Sequence, residues 1–214
     1  MRLVTTLQRL VFTGALIAVA AAPVFAQNVL TNPGFEAGFT GWTVFGNSFI
    51  EGANPPAVVP YAGNNIAKFF GTFSGGFGVS GFFQSYPAAP GELWSLESKS
   101  RHFSGDAMQG SGIPAGGNGN WVVQKLIFRA NGVDDIASAE STILDGTFAT
   151  DTWFDNAPVL LVAPPTTTTV WAFLLYLQPA FDGGAAQIDN VTLQKIQAVP
   201  SKKSSWSRVK SLYR

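Results

Sequence analysis

Turn signals recur about every ten residues through the body of this chain, and between them no apolar pattern holds a helical period for long. That rhythm confines the chain to short strands joined by tight turns, the sequence form of an antiparallel β-sandwich. Asn54-Pro55-Pro56, Ala62-Gly63-Asn64-Asn65, Pro90-Gly91-Glu92, Asp145-Gly146, Pro164-Pro165 and Asp182-Gly183-Gly184 are the punctuation. Strands are expected over Ile66–Phe70, from Phe82, over Leu93–Ser100, Trp121–Phe128, Val159–Val162, Thr167–Leu177 and Gln187–Leu193. In Leu93–Ser100 the alternation sets Trp94, Leu96, Ser98 and Ser100 on one side. Thr167–Leu177 is apolar enough to read as a buried strand. Asn131-Gly132 is the strongest hairpin signal, because both residues tolerate the positive φ of a type I′ turn, and its return strand should run near Asp135–Ile143. Gly71–Gly81 is a glycine-softened hairpin or loop carrying Phe73 and Phe77. Gly105–Asn120 is either a mobile loop or a binding loop.

A sandwich of this size can bury enough surface to stand without crosslinks. The chain has no cysteine and 18 phenylalanines, and each buried Phe contributes roughly 1.5–3 kcal/mol. One domain is expected. Formal charge is zero overall, but it is segregated: residues 27–198 hold 13 acids and 6 bases, and the last sixteen residues hold five bases and no acid. An acidic body argues against nucleic acid as a partner, since counterion displacement needs Lys and Arg.

The two ends read differently from the body. Residues 1–26 have the form of a cleaved secretory signal: Arg2 and Arg9, an apolar run from Leu10 to Ala22, then Val24-Phe25-Ala26 at the cleavage site. A secreted protein follows, extracellular, periplasmic or on the cell surface, of bacterial type, with no transmembrane segment and no lipidated cysteine. Residues 199–214 form a basic tail in which Trp206, Val209, Leu212 and Tyr213 fall at helical spacing. It is a frayed end, or a short amphipathic helix that docks to an envelope or protein partner.

Leu30-Thr31-Asn32-Pro33-Gly34-Phe35-Glu36 opens the body, with Gly41-Trp42 after it. Pro33-Gly34 bends the chain, Phe35 and Trp42 are core anchors, and Glu36 is the only charge between Gln27 and Ile50. Its carboxylate either accepts backbone amides, faces solvent, or holds a metal. The run N-x-L-x-N-x-G-F-E followed by G-W resembles the start of carbohydrate-binding modules of families 4, 9 and 22, within the galactose-binding-like jelly rolls. Ile188-Asp189-Asn190-Val191-Thr192-Leu193 resembles their last strand. The resemblance implies an all-β jelly roll with first and last strands adjacent, and a structural calcium held by Glu36 and Asp189. Two carboxylates brought together repel unless a cation or a proton intervenes, which agrees.

Sugar recognition needs flat rings for stacking, with amides and charges for the hydroxyls. Trp121 and Trp153, at strand starts beside polar loops, are the first candidates, with Trp94, Arg101, Gln124 and Asn120 around them. Enzymatic chemistry has little to stand on. His102 is the only histidine, no G-x-S-x-G frames a nucleophile, and no carboxylate pair is singled out for glycoside hydrolysis. The sequence therefore reads as a secreted, non-catalytic module that binds a polysaccharide or glycan. The alternative is a structural or adhesive surface protein with the same fold and no sugar site.

Overall fold

The computed structural model describes residues 27–110 and 119–196. The expected signal segment, the middle of the glycine-rich loop and the basic tail lie outside them. The described chain is a jelly-roll sandwich of two antiparallel sheets. Its strands are β1 (Thr43–Phe45), β2 (Asn47–Gly52), β3 (Asn65–Phe70), β4 (Gly78–Pro87), β5 (Leu93–Arg101), β6 (Trp121–Ala130), β7 (Asp134–Asp145), β8 (Phe154–Asp155), β9 (Val159–Val162), β10 (Thr169–Gln178) and β11 (Ala185–Ile196). One sheet runs β1-β4-β10-β6-β7, and the other β2-β3-β11-β5, with β8 and β9 both on the far side of β5. No helix among these residues is long and apolar enough to cross a membrane.

Eight of these strands, β3–β7 and β9–β11, fall where the local pattern sets them, while β1, β2 and β8 do not stand out in the sequence. β6 and β7 are joined at Asn131 and Gly132, whose φ values of 52° and 72° are those of the expected I′ turn. Inward residues alternate along every long strand. Phe82, Val122, Leu126, Phe128, Val170, Ala172, Leu174 and Tyr176 face Phe69, Trp94, Leu96, Ile188, Val191 and Leu193 across the core. Phe35 is fully buried, with Trp42 and Phe82 rings at 5.3 and 5.4 Å. The opening stretch thus plugs one end of the core. Beside it Asn28 bridges Gln194 and the Val29 amide donates to Leu193 O, so the chain starts alongside its last strand as expected.

β10 departs from expectation. It is not buried on both faces: every second residue from Thr169 to Leu177 is half-exposed. Its outward side chains are as apolar as its inward ones, which is why the sequence reads as a fully covered strand.

Candidate functional site

Directly paired residues on neighbouring strands share a face, and the registers therefore define the outer surface of the five-stranded sheet. One row across all five strands is Thr43, Phe83, Phe173, Lys125 and Glu140. The rows beside it are Phe45, Gly81, Leu175, Val123 and Thr142, and then Ser85, Trp171, Ile127 and Ser138. Rings gather at the centre. Phe83 lies 4.7 Å from Phe173 and 5.0 Å from Trp171, and Trp171 and Phe173 are 13° from parallel. Phe45 extends the group to β1 at 6.4 Å from Phe83. Gly81 is required here, because a side chain at that position would run into Leu174 O and the Phe45 ring.

Charge borders the rings on one side. Lys125 pairs with Glu140 at 2.7 Å and Arg129 with Asp135 at 2.6 Å. The Arg129 guanidinium sits 4.0 Å from the Trp171 ring centroid, which fixes the indole from above. Trp171 Nε1 donates to Thr169 Oγ1 at 3.0 Å, fixing its edge. The arrangement sets a cluster of half-buried rings, packed on one another and partly capped by Arg129, beside charged and hydroxyl groups.

Of the residues picked out in the sequence, only Trp121 lies on this surface, half-exposed at its far end with Phe77 at 6.0 Å. Trp153 is half-buried on another side, donating to Val59 O at 2.8 Å, edge-on to Tyr61. The rest are buried, a correction to their expected role. Trp94 is a core residue whose indole N–H donates to Glu92. Gln124 crosses the core, accepting from Ser98 Oγ at 3.0 Å and donating to Ala157 O. Asn120 is buried, its amide donating to Asp182 O and Gly183 O. Arg101 is 2% exposed and reaches Pro56 O, Ala57 O, Gln187 Oε1 and Asp151 Oδ1. Burial lowers its pKa, which Asp151 opposes. Each is polar because it ties loops or sheets together. The sequence does not single out Trp171, Phe173 and Phe83, because aromatic residues in a strand read as core and only the register shows which face they take.

Glu36 and Asp189 converge on one loop. Glu36 accepts the amides of Asn64 and Asn65, and Asp189 those of Tyr61, Ala62 and Asn190. Asp189 is wholly buried. Burial raises its pKa, three amides pull it back, and the Glu36 charge raises it further. The amide reading of Glu36 is the one these contacts display. Counting two lone pairs per oxygen, one remains on Asp189 Oδ1 and one on Glu36 Oε2. Those two lone pairs are what the acids have left to offer a cation.

His102 is also internal. Its Nδ1 accepts the Met108 amide and its Nε2 carries the proton toward Phe148 O, so both ring nitrogens are committed.

No protein-family model and no curated protein matches the sequence. Solved structures do match. TmCBM61, in complex with β-1,4-galactotriose, aligns with a TM-score of 0.50 at 18% identity, over 79% of this chain and 99% of that one. The fold is the jelly roll of the carbohydrate-binding modules. A cyclase from Fischerella sp. TAU has it too, with a TM-score of 0.56 at 14% identity, over 82% of this chain and 100% of the cyclase. So does the enzymatically active domain of bacteriophage CBA120 tailspike protein 4, at 0.55 and 14%, over 79% of this chain. This chain spans about a fifth of that tailspike structure, 21%. One fold therefore serves a binding module and enzymes, and side chains must decide between them.

Proposed function

We propose that the chain is a secreted, non-catalytic carbohydrate-binding module whose glycan lies on the outer face of the five-stranded sheet. The cluster of Phe45, Phe83, Trp171 and Phe173, edged by Lys125–Glu140 and Arg129–Asp135, is the observation that carries this reading. Sugars present C–H patches to rings and hydroxyls to charged groups, and this surface supplies both. The likeness to a module solved with β-1,4-galactotriose makes β-1,4-galactan the first ligand to try. A non-catalytic role agrees with the commitment of both His102 nitrogens and with a face whose charges are held in pairs.

The test is calorimetric titration with soluble β-1,4-galactan, xylan and mixed-linkage glucan. Trp171→Ala and Phe173→Ala should each weaken binding by about tenfold or more, with Trp153→Ala unchanged. Affinity for all three polymers unaffected by Trp171→Ala and Phe173→Ala would end the proposal. If no polysaccharide binds, the structural or adhesive alternative takes its place.

Calcium at Glu36 and Asp189 is a second proposal, supported by the burial of Asp189 and, to a lesser degree, the charge of Glu36, both of which raise the Asp189 pKa. These two carboxylates would hold it, and it would supply the positive charge their meeting lacks. Extracellular sites bind at roughly 10⁻⁴–10⁻³ M, so calcium at ten times Kd would add about 1.4 kcal/mol. The melting temperature should rise by a few degrees with millimolar calcium and fall back with EDTA. A curve indifferent to both would remove the ion.

A further inference from the structure

The opposite sheet carries a groove of another character. Across its outer surface Phe49, Lys68, Gln187 and Arg101 form one register row on β2, β3, β11 and β5. Arg101 and Gln187 are sealed beneath Ala57, whose carbonyl both of them bind. Lys68 is not covered over. It stands in the wall of a cavity of about 330 Å³, its ammonium between Glu51 at 3.3 Å and Asp106 at 3.2 Å. Asn54 and the half-buried Phe103 ring also face this space, and Gln187 lies at its floor. A second hollow of about 220 Å³ adjoins it through Asp106 and is walled by Phe70 and Phe73.

The lining dictates what could fill it. Two carboxylates flank a single ammonium, so acceptors outnumber donors and the charge of this triad is −1. An anionic ligand would meet that excess at short range. A metal ion would have to displace Lys68 from between the two acids, and no cluster of three acidic, histidine or cysteine side chains occurs among the described residues. A ligand rich in O–H donors suits the acids, while the Phe103 ring offers a flat apolar face. The volume admits a single ring, in contrast to the open aromatic face on the other sheet.

We propose that this groove is a second ligand site, taking one neutral sugar residue with its hydroxyls on Glu51, Asp106 and Lys68 and its C–H face on Phe103, and rejecting uronic acids. The site lies on the sheet opposite the aromatic face and does not depend on it.

NMR titration of the full chain with methyl β-galactoside, methyl β-glucoside and methyl β-xyloside, against glucuronate, tests it. At least one neutral glycoside should shift the amides of Gly52, Asn54 and Ala185, with glucuronate at least about tenfold weaker at low salt. Glu51→Gln and Asp106→Asn should each weaken that binding about tenfold, with melting temperatures near the parent's to show that the fold survives. Trp171→Ala should leave the groove shifts intact, which separates this site from the glycan face. Absence of groove shifts with every neutral glycoside, or equal binding of glucuronate, overturns the proposal. So does binding indifferent to both carboxamide variants.

Discussion

Asp189 shows how a single buried carboxylate sets a pH dependence. Its folded pKa lies above that of an unfolded aspartate, with burial the largest cause and Glu36 adding to it. Ionising it therefore costs more in the folded chain. Below the unfolded value there is no penalty, and stability declines as pH rises from about 4 through the folded pKa. Asp189→Asn removes this titration. The stability difference, parent minus variant, should shrink as pH climbs through that window, read from urea midpoints at several pH values. Under the calcium proposal, millimolar calcium flattens the decline. Arg101 teaches the opposite lesson about charge: the sequence offers it as a partner for sugar hydroxyls, and the fold commits it to its own loops. Its partners at Pro56 and Ala57 lie about 45 residues earlier, and no local pattern announces them.

At the scale of elements, β10 is central to its sheet, hydrogen-bonded to β4 over ten register pairs and to β6 over nine. Leu174 faces the core and is fully buried, while Leu175 faces outward and is half-exposed. Leu174→Ala should cost about 3 kcal/mol, and Leu175→Ala about 1 kcal/mol or less, both measured by urea denaturation. Strand existence was legible in the sequence because turn residues are local: Asn131-Gly132 places its hairpin, and Val159–Val162 appears with the expected ends. The exposed face of β10 was not legible. Alternation can be read only when the outward residues are polar, and here Trp171, Phe173, Leu175 and Leu177 are not. Among the described residues, the loop from Gly105 onward supplies Asp106 to the groove on the other sheet.

On the scale of the whole molecule, the acidic body constrains which polymers can approach. With 13 acids to 6 bases in residues 27–198, long-range forces oppose polyanions even where Lys125 and Arg129 stand. Polygalacturonate should be retained less than neutral β-1,4-galactan in affinity electrophoresis at low ionic strength. Raising salt to about 0.5 M should narrow the gap as the field is screened. The meeting of the opening segment with β11 was readable from Leu30–Glu36 and Ile188–Leu193, although the first strand, β1, lies in the other sheet.

The alternation of β10 has an evolutionary consequence. Inward residues hold the sandwich together and, under the proposed function, outward ones meet the glycan, so the two traits sit on separate positions of one strand. Substitutions at 171, 173 and 175 can alter the bound species without loosening the scaffold, and natural variation is free to explore them. A scaffold so divided can drift far while keeping its shape. Jelly rolls only 14–18% identical to this chain occur in a sugar-bound module, a cyclase and a phage tailspike domain.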